Sequence, residues 1–338
     1  MKERALVIAP GRGTYNKEEL GYFARHHANK GPMLRKIDAY REAQGQMLTS
    51  ELDAMERYDV SIHTSGDNAS PLIYACAYAD FISINREKYD ICAVTGNSMG
   101  WYIALALSGA VSPEGGLEII NTMGRFMHES LIGGQVIYTL VDAQWQEIKG
   151  THDEVTKLCK EIDGLYPSIE LGGMFVFGGT EDALAGLNDR LEKREIFPFR
   201  LHNHAAFHTP LQSPISQKAL QHFSKDLFKS PSIDAIDGRG HIWDKASTQP
   251  DAMFDYTFGH QITEVYDFTA AVQQSIRHSN PDKIIILGPG TTLGGAVAQS
   301  LIKMNWQGLS SKDDFITRQK EDPLILSMGM EDQRALVI

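Results

Sequence analysis

A serine between two glycines is the residue in this sequence best placed to act as a nucleophile. Ser98 occupies the centre of a G-x-S-x-G pattern, after an apolar run at residues 91–95 and before an apolar helical stretch. This arrangement is typical of a nucleophile elbow, a strained strand-to-helix turn that exposes the serine hydroxyl at the end of a sheet. Gly96 and Gly100 are needed because side chains there would collide with the neighbouring backbone. We therefore predict a nucleophilic Ser98, with an ordinary glycine turn as the alternative.

A nucleophilic serine requires a base, and a histidine-rich segment is the candidate source. His202, His204 and His208 follow a strand-like run and precede a helical pattern. No carboxylate or cysteine joins them, and their spacing matches none of the zinc signatures. We therefore expect no bound metal and take this segment as the source of the base. Loop histidines without a role are the alternative.

A glycine turn after the first apolar run could bring backbone N–H groups close to a bound oxygen. The turn is Gly11-Arg12-Gly13. The sequence continues with neither a Gly-Lys-Ser/Thr nor a G-x-G-x-x-G pattern, so it predicts no phosphate-binding loop.

Composition excludes several classes of protein. The 338 residues carry a formal charge of -11, from 43 acidic and 32 basic residues, which argues against nucleic-acid and anionic-membrane partners. Three cysteines without C-x-x-C spacing indicate neither a disulfide framework nor a thiolate metal site. No apolar run approaches the ~18 residues of a membrane helix. The expected location is the cytoplasm.

The order of apolar patterns predicts an α/β fold with a mainly parallel sheet. Strand-like runs at residues 5–9, 91–95 and 283–287 are separated by helical stretches. The middle of the chain alternates as β-α-β-α-β, with its segments at residues 135–141, 153–162, 168–177, 181–193 and 196–202. Such an order predicts a small ferredoxin-like insert.

These patterns divide the chain into three parts. Residues 1–134 and 203–308 are predicted to form a large α/β-hydrolase-like subdomain. Residues 135–202 form the ferredoxin-like α+β subdomain, and residues 309–338 a polar C-terminal tail that wraps the surface or is loosely held. The active site is expected between the two subdomains.

The landmarks together resemble the malonyl-CoA:acyl-carrier-protein transacylase family, which includes the acyltransferase domains of fatty-acid and polyketide synthases. The family's P-G-Q-G turn, G-H-S-x-G-E elbow, F-H-S/T-x-L histidine, Gln–x6–aromatic stretch and G-P-G turn all have counterparts with consistent spacing. These are Pro10 to Gly13, Gly96 to Trp101, Phe207 to Leu211, Gln261 to Phe268, and Gly288 to Gly290. The chain is therefore similar to a divergent member, over about residues 4–305.

This resemblance implies an acyl-carrier-protein S-acyltransferase of fatty-acid or polyketide biosynthesis. Ser98 would attack the thioester of an acyl-CoA or acyl-pantetheine, and His208 would be the base. The backbone carbonyl of Gln261 would orient the histidine, and the backbone N–H groups of Arg12 and Met99 would form the oxyanion hole. The resemblance implies no tightly bound cofactor, and an acyl carrier protein as partner.

One departure from the family concerns the acyl group. Malonyl-transferring members place an arginine 25 residues after the serine to pair the malonyl carboxylate, whereas this chain has Met123 there. Arg125 matches the second basic position of that motif. A thioether leaves a buried carboxylate unpaired, so we expect a neutral, non-malonyl acyl group. Arg12 could instead reach into the pocket and supply the missing cation. The residues expected to line the pocket are Asn97, Trp101, Met123 and Phe207.

Two alternatives remain open. An acyl-thioester hydrolase that clears carrier proteins would use the same serine and histidine and release the acyl group to water. A non-catalytic partner would only bind carrier protein. Carrier proteins are acidic, as this chain is, so docking requires a local basic face. The candidates for that face are Arg25, Lys30, Arg35, Lys36 and Arg125.

Overall fold

Two sheets organise the computed structural model, which describes residues 2–338. Their strands, numbered in chain order, are β1 Glu3–Ala9, β2 Tyr89–Gly96, β3 Gly134–Thr139, β4 Leu165–Leu171, β5 Met174–Gly179, β6 Phe199–Leu201, β7 Ala235–Ile236, β8 Ile242–Trp243, β9 Tyr266–Asp267, β10 Lys283–Ile286 and β11 Ile325–Ser327.

The first sheet has six strands in the order β11-β10-β1-β2-β7-β8. The first five are parallel, and β8 returns antiparallel to β7. The central strand β1 is buried from Ala5 to Ala9, as expected for a strand covered by helices on both faces. The predicted mainly parallel sheet is therefore confirmed. Strands β7 and β8 lie outside the predicted strand-like runs, because two-residue strands leave no periodic signal.

Helices pack against both sheets. They are α1 Tyr22–His27, α2 Gly31–Ala43, α3 Thr49–Asp53, α4 Val60–His63, α5 Gly66–Phe81, α6 Gly100–Ser108, α7 Pro113–Glu129, α8 Thr151–Glu161, α9 Glu181–Asn188, α10 Ser213–His222, α11 Pro250–Asp255, α12 Gln261–Thr263, α13 Phe268–Ser279, α14 Leu293–Lys303, α15 Lys312–Glu321 and α16 Glu331–Val337. A π-helical turn, Tyr256–His260, joins α11 to α12. In residues 2–338, no helix combines the length and apolar character needed to cross a bilayer.

The second sheet has five strands in the order β6-β3-β5-β4-β9. The single strand predicted at residues 168–177 is wrong: the chain reverses at Gly172 and Gly173, so that β4 and β5 form an antiparallel hairpin. Gly172 has a φ of +64°, and a side chain there would meet the Ala296 carbonyl at 2.5 Å. The observed order is β-α-β-β-α-β, the ferredoxin-like arrangement. The predicted fold class, a large α/β part with a ferredoxin-like part, is confirmed.

The two faces of the second sheet have different surroundings. One face carries Val136, Tyr138, Phe175 and Phe177, which pack with residues of α8 and α9 in a separate core. Residues of the opposite face, such as Ile137 and Val176, contact the main core instead. Alternation along each strand therefore leaves one apolar face directed at the large part of the molecule.

The segment after residue 308 differs from the predicted tail. It forms α15 and α16, and between them β11 pairs parallel to β10 at the edge of the first sheet. Arg334 of α16 is buried and contacts Asp80 of α5 at 2.8 Å. It also donates to the Tyr22 hydroxyl at 2.9 Å. Because the segment is polar overall, its composition does not predict these few buried contacts.

Removing the Arg334 side chain should strongly destabilise the fold. In Arg334→Ala the fully buried Asp80 loses its guanidinium partner, and breaking a buried ion pair costs about 3–5 kcal/mol. Urea denaturation followed by circular dichroism would measure this loss in the free energy of unfolding. Arg318→Ala, which breaks the exposed pair with Asp322, is the matched control and should change little. Equal effects of the two variants would contradict the structural role of Arg334.

Candidate active site

Ser98 lies in a tight turn between β2 and α6. Its φ is +54°, in the left-handed region that a residue with a side chain seldom adopts. A side chain on Gly96 would lie 2.1 Å from the Gly100 carbonyl oxygen, and one on Gly100 would lie 2.5 Å from the Ala9 carbonyl oxygen. Glycine is therefore required at both positions, and the strand–turn–helix geometry of a nucleophile elbow is present.

The structure brings Ser98 and His208 together, although they are 110 residues apart. The Ser98 Oγ lies 2.7 Å from Nε2 of His208, and Nδ1 of the same ring lies 2.6 Å from the backbone carbonyl oxygen of Gln261. A carbonyl can only accept, so Nδ1 carries the proton and Nε2 is left to accept from the serine hydroxyl. This arrangement is suited to general-base activation of Ser98.

The environment of His208 keeps its ring neutral. The side chain is 3% exposed, and burial lowers the pKa of His208 to about 4. The charge of His260 also lowers this pKa, whereas the hydrogen bond to Gln261 raises it. A neutral imidazole at physiological pH is the form that can take a proton from Ser98.

The turn at Gly11 packs directly on the elbow. A side chain on Gly11 would lie 2.7 Å from the Asn97 carbonyl oxygen. Among residues 2–338, the backbone N–H groups of Arg12 and Met99 have no acceptor. Both residues line the same cavity as Ser98. Two free N–H groups in the same cavity as a nucleophile can stabilise a developing oxyanion, which is the role that the family resemblance implies for these residues.

Two cavities meet at Ser98. The smaller, of about 30 Å³, extends towards α7 and α12, and its apolar wall includes Met99, Ile120, Met123, Met127, Phe207 and Ile262. The larger, of about 280 Å³, runs under the open face of the second sheet, along Ile137, Ile169, Leu171, Met174, Val176 and Leu201. Ser98, Arg12 and Phe207 line both cavities. An extended substrate with its reacting carbonyl at Ser98 would therefore have space on either side.

The predicted pocket residues are only partly brought together. Met123 lines the smaller cavity, Asn97 the larger, and Phe207 both. The prediction for Trp101 is wrong, because its side chain is fully buried and lines neither cavity. Its indole N–H donates to the Thr257 hydroxyl at 3.0 Å. From the first turn of α6 the indole packs against the π-helical turn, so it belongs to the core.

The Arg12 side chain reaches the site, as one alternative from the sequence allowed. Its Nη2 donates to the carbonyl oxygens of Thr64, at 2.9 Å, and Asn203, at 3.1 Å. The guanidinium also lies 5.5 Å from the centre of the Phe207 ring. Burial lowers the pKa of Arg12 to about 10, which leaves it positively charged at neutral pH. The group is thus anchored on the cavity wall by main-chain oxygens.

The other two histidines of the segment have different environments. His202 is exposed. His204 lines the larger cavity, with its Nδ1 2.9 Å from Oε1 of Gln135, and burial together with the charge of Arg12 lowers its pKa to about 3. Over residues 2–338, no cluster of three or more potential metal ligands is found.

Two tyrosines that sequence reasoning missed complete the surroundings. The Tyr102 hydroxyl donates to Oε1 of Gln261 at 2.8 Å, and the Tyr266 hydroxyl donates to the Gly96 carbonyl oxygen at 2.5 Å. Tyr102 lies four residues after Ser98, in the first turn of α6. This spacing is the only signal in the sequence that could have singled out Tyr102.

Structural comparison shows the fold of malonyl-CoA:acyl-carrier-protein transacylases. The chain is similar to that transacylase from Synechocystis sp. PCC 6803, with 15% identity, complete coverage of both chains and a TM-score of 0.77. It is also similar to a malonyl-transacylase, PlMCAT, which was solved in complex with the type II polyketide-synthase acyl-carrier protein AntF. The identity is 18%, the match covers 89% of this chain and 93% of that one, and the TM-score is 0.69. The resemblance stated from the sequence motifs is confirmed at the level of the fold.

Sequence comparison finds similarity to polyketide synthases. The chain is 22% identical over 305 residues to the phenolphthiocerol synthesis polyketide synthase Pks15/1 of Mycobacterium marinum. The match covers 88% of this chain but only 14% of that relative, so the chain corresponds to a small part of the larger protein. No family model matches the chain.

Direct titration of His208 would test the described environment. We expect its imidazole resonances, followed by NMR in ¹⁵N-histidine-labelled protein, to stay those of the neutral ring through the neutral range and to titrate with a midpoint of about 4. The His208→Gln variant, which lacks these resonances, supplies the assignment. A midpoint near the ordinary histidine value of about 6.5 would contradict the effect of burial.

Proposed function

We propose that this protein is an acyltransferase that moves an acyl group from the thioester of coenzyme A, or of an acyl carrier protein, to the pantetheine thiol of a carrier protein. The observation that carries the proposal is the hydrogen-bonded series from Ser98 through His208 to the Gln261 carbonyl, set at the junction of two cavities. The proposal includes a cytoplasmic location and no resident metal or cofactor.

The first half-reaction forms a seryl ester. The Ser98 Oγ attacks the thioester carbonyl carbon while Nε2 of His208 takes the hydroxyl proton. The negative charge that develops on the carbonyl oxygen is met by the backbone N–H groups of Arg12 and Met99. The carbon–sulfur bond then breaks, and the departing sulfur receives the proton from His208.

The second half-reaction reverses these steps with a new thiol. His208 takes the proton of the incoming pantetheine thiol, and the sulfur attacks the ester carbonyl. The bond to the Ser98 Oγ breaks, and the serine recovers its proton from His208. Capture by water instead of the thiol would make the protein a thioester hydrolase, which remains the alternative. A purely non-catalytic role is disfavoured by the intact contact between Ser98 and His208.

The smaller cavity supports an acyl group other than malonyl. Met123 is 1% exposed and, with Met127 one turn later on α7, presents a thioether to the cavity. The carboxylate of a malonyl group beside Met123 would be desolvated without an ion pair, which is unfavourable. The Arg12 guanidinium is anchored elsewhere on the wall, by Thr64 and Asn203. We therefore propose a neutral acyl group.

An acyl carrier protein is the proposed partner. The candidate basic residues include Lys36, whose ammonium group pairs with Glu114 at 3.4 Å, and Arg25, which donates to the Glu18 carbonyl at 3.3 Å. These internal contacts involve exposed groups and are weak enough to be exchanged for carboxylates of a docking protein. Docking would then rest on a local face of a chain that is acidic overall.

A covalent adduct on Ser98 is the first expected result. Mixing the protein with a series of acyl-CoA thioesters should add the mass of the acyl group, read by intact-protein mass spectrometry, and Ser98→Ala should remove the adduct. His208→Gln should slow adduct formation about 10²–10⁴-fold. Adding a holo acyl carrier protein should then move the acyl group onto its pantetheine. Release as free acid would instead support the hydrolase, and the absence of any adduct would overturn the proposed chemistry.

The acyl preference can be tested at Met123. Acetyl-CoA or longer neutral thioesters should form the adduct faster than malonyl-CoA, because Met123 supplies no cation and the Arg12 guanidinium of the same cavity is already bound to the Thr64 and Asn203 carbonyls. Met123→Arg should shift the ratio of rates towards malonyl-CoA, and Met127→Arg, one turn further along α7, is the positional control. Equal rates for malonyl and acetyl groups in the unmodified protein would contradict the proposal.

A further inference from the structure

We infer that Tyr102 and the side chain of Gln261 act as positioning residues, which hold the Ser98 backbone so that its hydroxyl faces His208. The inference rests on the proposed function, since it concerns the rate at which Ser98 is acylated. It assigns to Tyr102, which also lines the smaller cavity, a role that acts through the Gln261 amide. It also gives Gln261 a side-chain role besides the main-chain contact to the histidine.

Gln261 contacts both members of the Ser98–His208 pair. Its backbone carbonyl accepts from Nδ1 of His208 at 2.6 Å, and its side-chain Nε2 donates to the backbone carbonyl of Ser98 at 3.2 Å. Its Oε1 accepts from the Tyr102 hydroxyl at 2.8 Å. One residue therefore sets the position of the base and of the nucleophile relative to each other.

The orientation of the amide follows from the chemistry of its neighbours. The Ser98 carbonyl can only accept a hydrogen bond, so the amide nitrogen must face it. The amide oxygen then faces Tyr102, whose hydroxyl supplies the donor. Tyr102 is 3% exposed and Gln261 2% exposed, so bulk water has little access to replace either partner. Removing the Tyr102 hydroxyl would leave a buried amide oxygen without a donor and weaken the preferred orientation.

The backbone of Ser98 needs this support because its conformation is unfavourable. A φ of +54° is disfavoured for a residue with a side chain, so the turn has a tendency to relax. The Ser98 carbonyl also accepts from the Trp101 N–H at 3.0 Å, within the helix that follows. The Gln261 amide adds a contact from outside that helix. A rotation of the peptide after Ser98 would also turn the Met99 N–H away from the reacting carbonyl.

Loss of the Tyr102 hydroxyl should leave the elbow folded. The Tyr266 hydroxyl still binds the Gly96 carbonyl, and the glycine contacts of the turn do not involve Tyr102. The phenylalanine ring retains the packing of the tyrosine ring. An effect on rate can therefore be separated from an effect on folding.

The experiment measures the single-turnover rate of acylation with acetyl-CoA, by quenching and intact-protein mass spectrometry. Tyr102→Phe should lower this rate about tenfold, the effect of one buried hydrogen bond, with little change in the acetyl-CoA concentration that gives half the maximal rate. Gln261→Met keeps the backbone carbonyl for His208 but removes both amide groups. It should lower the rate about a hundredfold, as expected when reacting groups are misplaced.

The double variant decides whether Tyr102 acts through Gln261. If it does, adding Tyr102→Phe to Gln261→Met should cause no further loss, because the amide it orients is already absent. Losses that multiply would overturn the inference. Tyr138→Phe is the matched control: it removes another buried tyrosine hydroxyl, one that donates to the Glu192 carbonyl far from the site, and should leave the rate unchanged.

A third substitution covers the case in which Tyr102→Phe fails to fold. Gln261→Glu keeps an acceptor for Tyr102 but, as a carboxylate, cannot donate to Ser98. It should slow acylation and, by adding negative charge near His208, move the midpoint of the pH–rate profile upwards. Unchanged acylation in Gln261→Glu or in folded Tyr102→Phe would overturn the inference alone. A wild-type protein that is never acylated would overturn the proposed function, and with it the inference.

Discussion

The close approach of two main-chain segments at Ser98, residues 9–11 and residues 96–100, is the constraint on which the rest of the site depends. The elbow can form only because Gly96 and Gly100 let the backbone of the turn touch itself and the end of β1. Gly11 then allows the first turn of the chain to pack against Asn97. This packing puts Arg12 and Met99, whose backbone N–H groups have no acceptor among residues 2–338, on the wall of the same cavity as Ser98. Any side chain at these glycines would separate the segments, so the chemistry of the site follows from the absence of Cβ atoms.

The two sheets bring together site residues that are distant in the sequence. Parallel order in the first sheet brings the ends of β1 and β2 side by side, and with them the residues 11–13 turn and the elbow. His208 enters from the segment that leaves the second sheet after β6, and Gln261 from the end of the π-helical turn. The uncovered face of the second sheet forms one wall of the larger cavity. The site therefore lies where the carboxyl ends of β1 and β2 meet the open face of the second sheet.

His208 and Arg12 are both buried, but one is neutral and the other is charged. Burial keeps His208 neutral, which makes the ring a competent base, and it leaves Arg12 as a cation that contacts two carbonyl oxygens and an aromatic ring and is stabilised by the charge of Asp67. An apolar wall that includes Met123 adds no compensating charge. A desolvated cavity of this kind strengthens hydrogen bonds to an oxyanion while it penalises a second, unpaired carboxylate. The proposed preference for a neutral acyl group therefore requires that the Arg12 guanidinium stay on the Thr64 and Asn203 carbonyls and leave a carboxylate beside Met123 unpaired.

Much of the fold and the central residues of the site could be predicted from the sequence, because they depend on local patterns. Apolar runs marked β1, β2 and β10, and the glycine spacing around Ser98 marked the elbow. The strand pair β4–β5 is predicted as one strand. The short strand β11 is predicted as part of a tail, because it pairs with β10, which is distant in the sequence. Trp101 was expected in the pocket, but the direction of a helical side chain is set by what packs against it. The contacts of Tyr102, of the Gln261 side chain and of Arg12 depend on the tertiary structure alone, since a hydrogen bond between residues 159 positions apart leaves no periodic trace in the sequence.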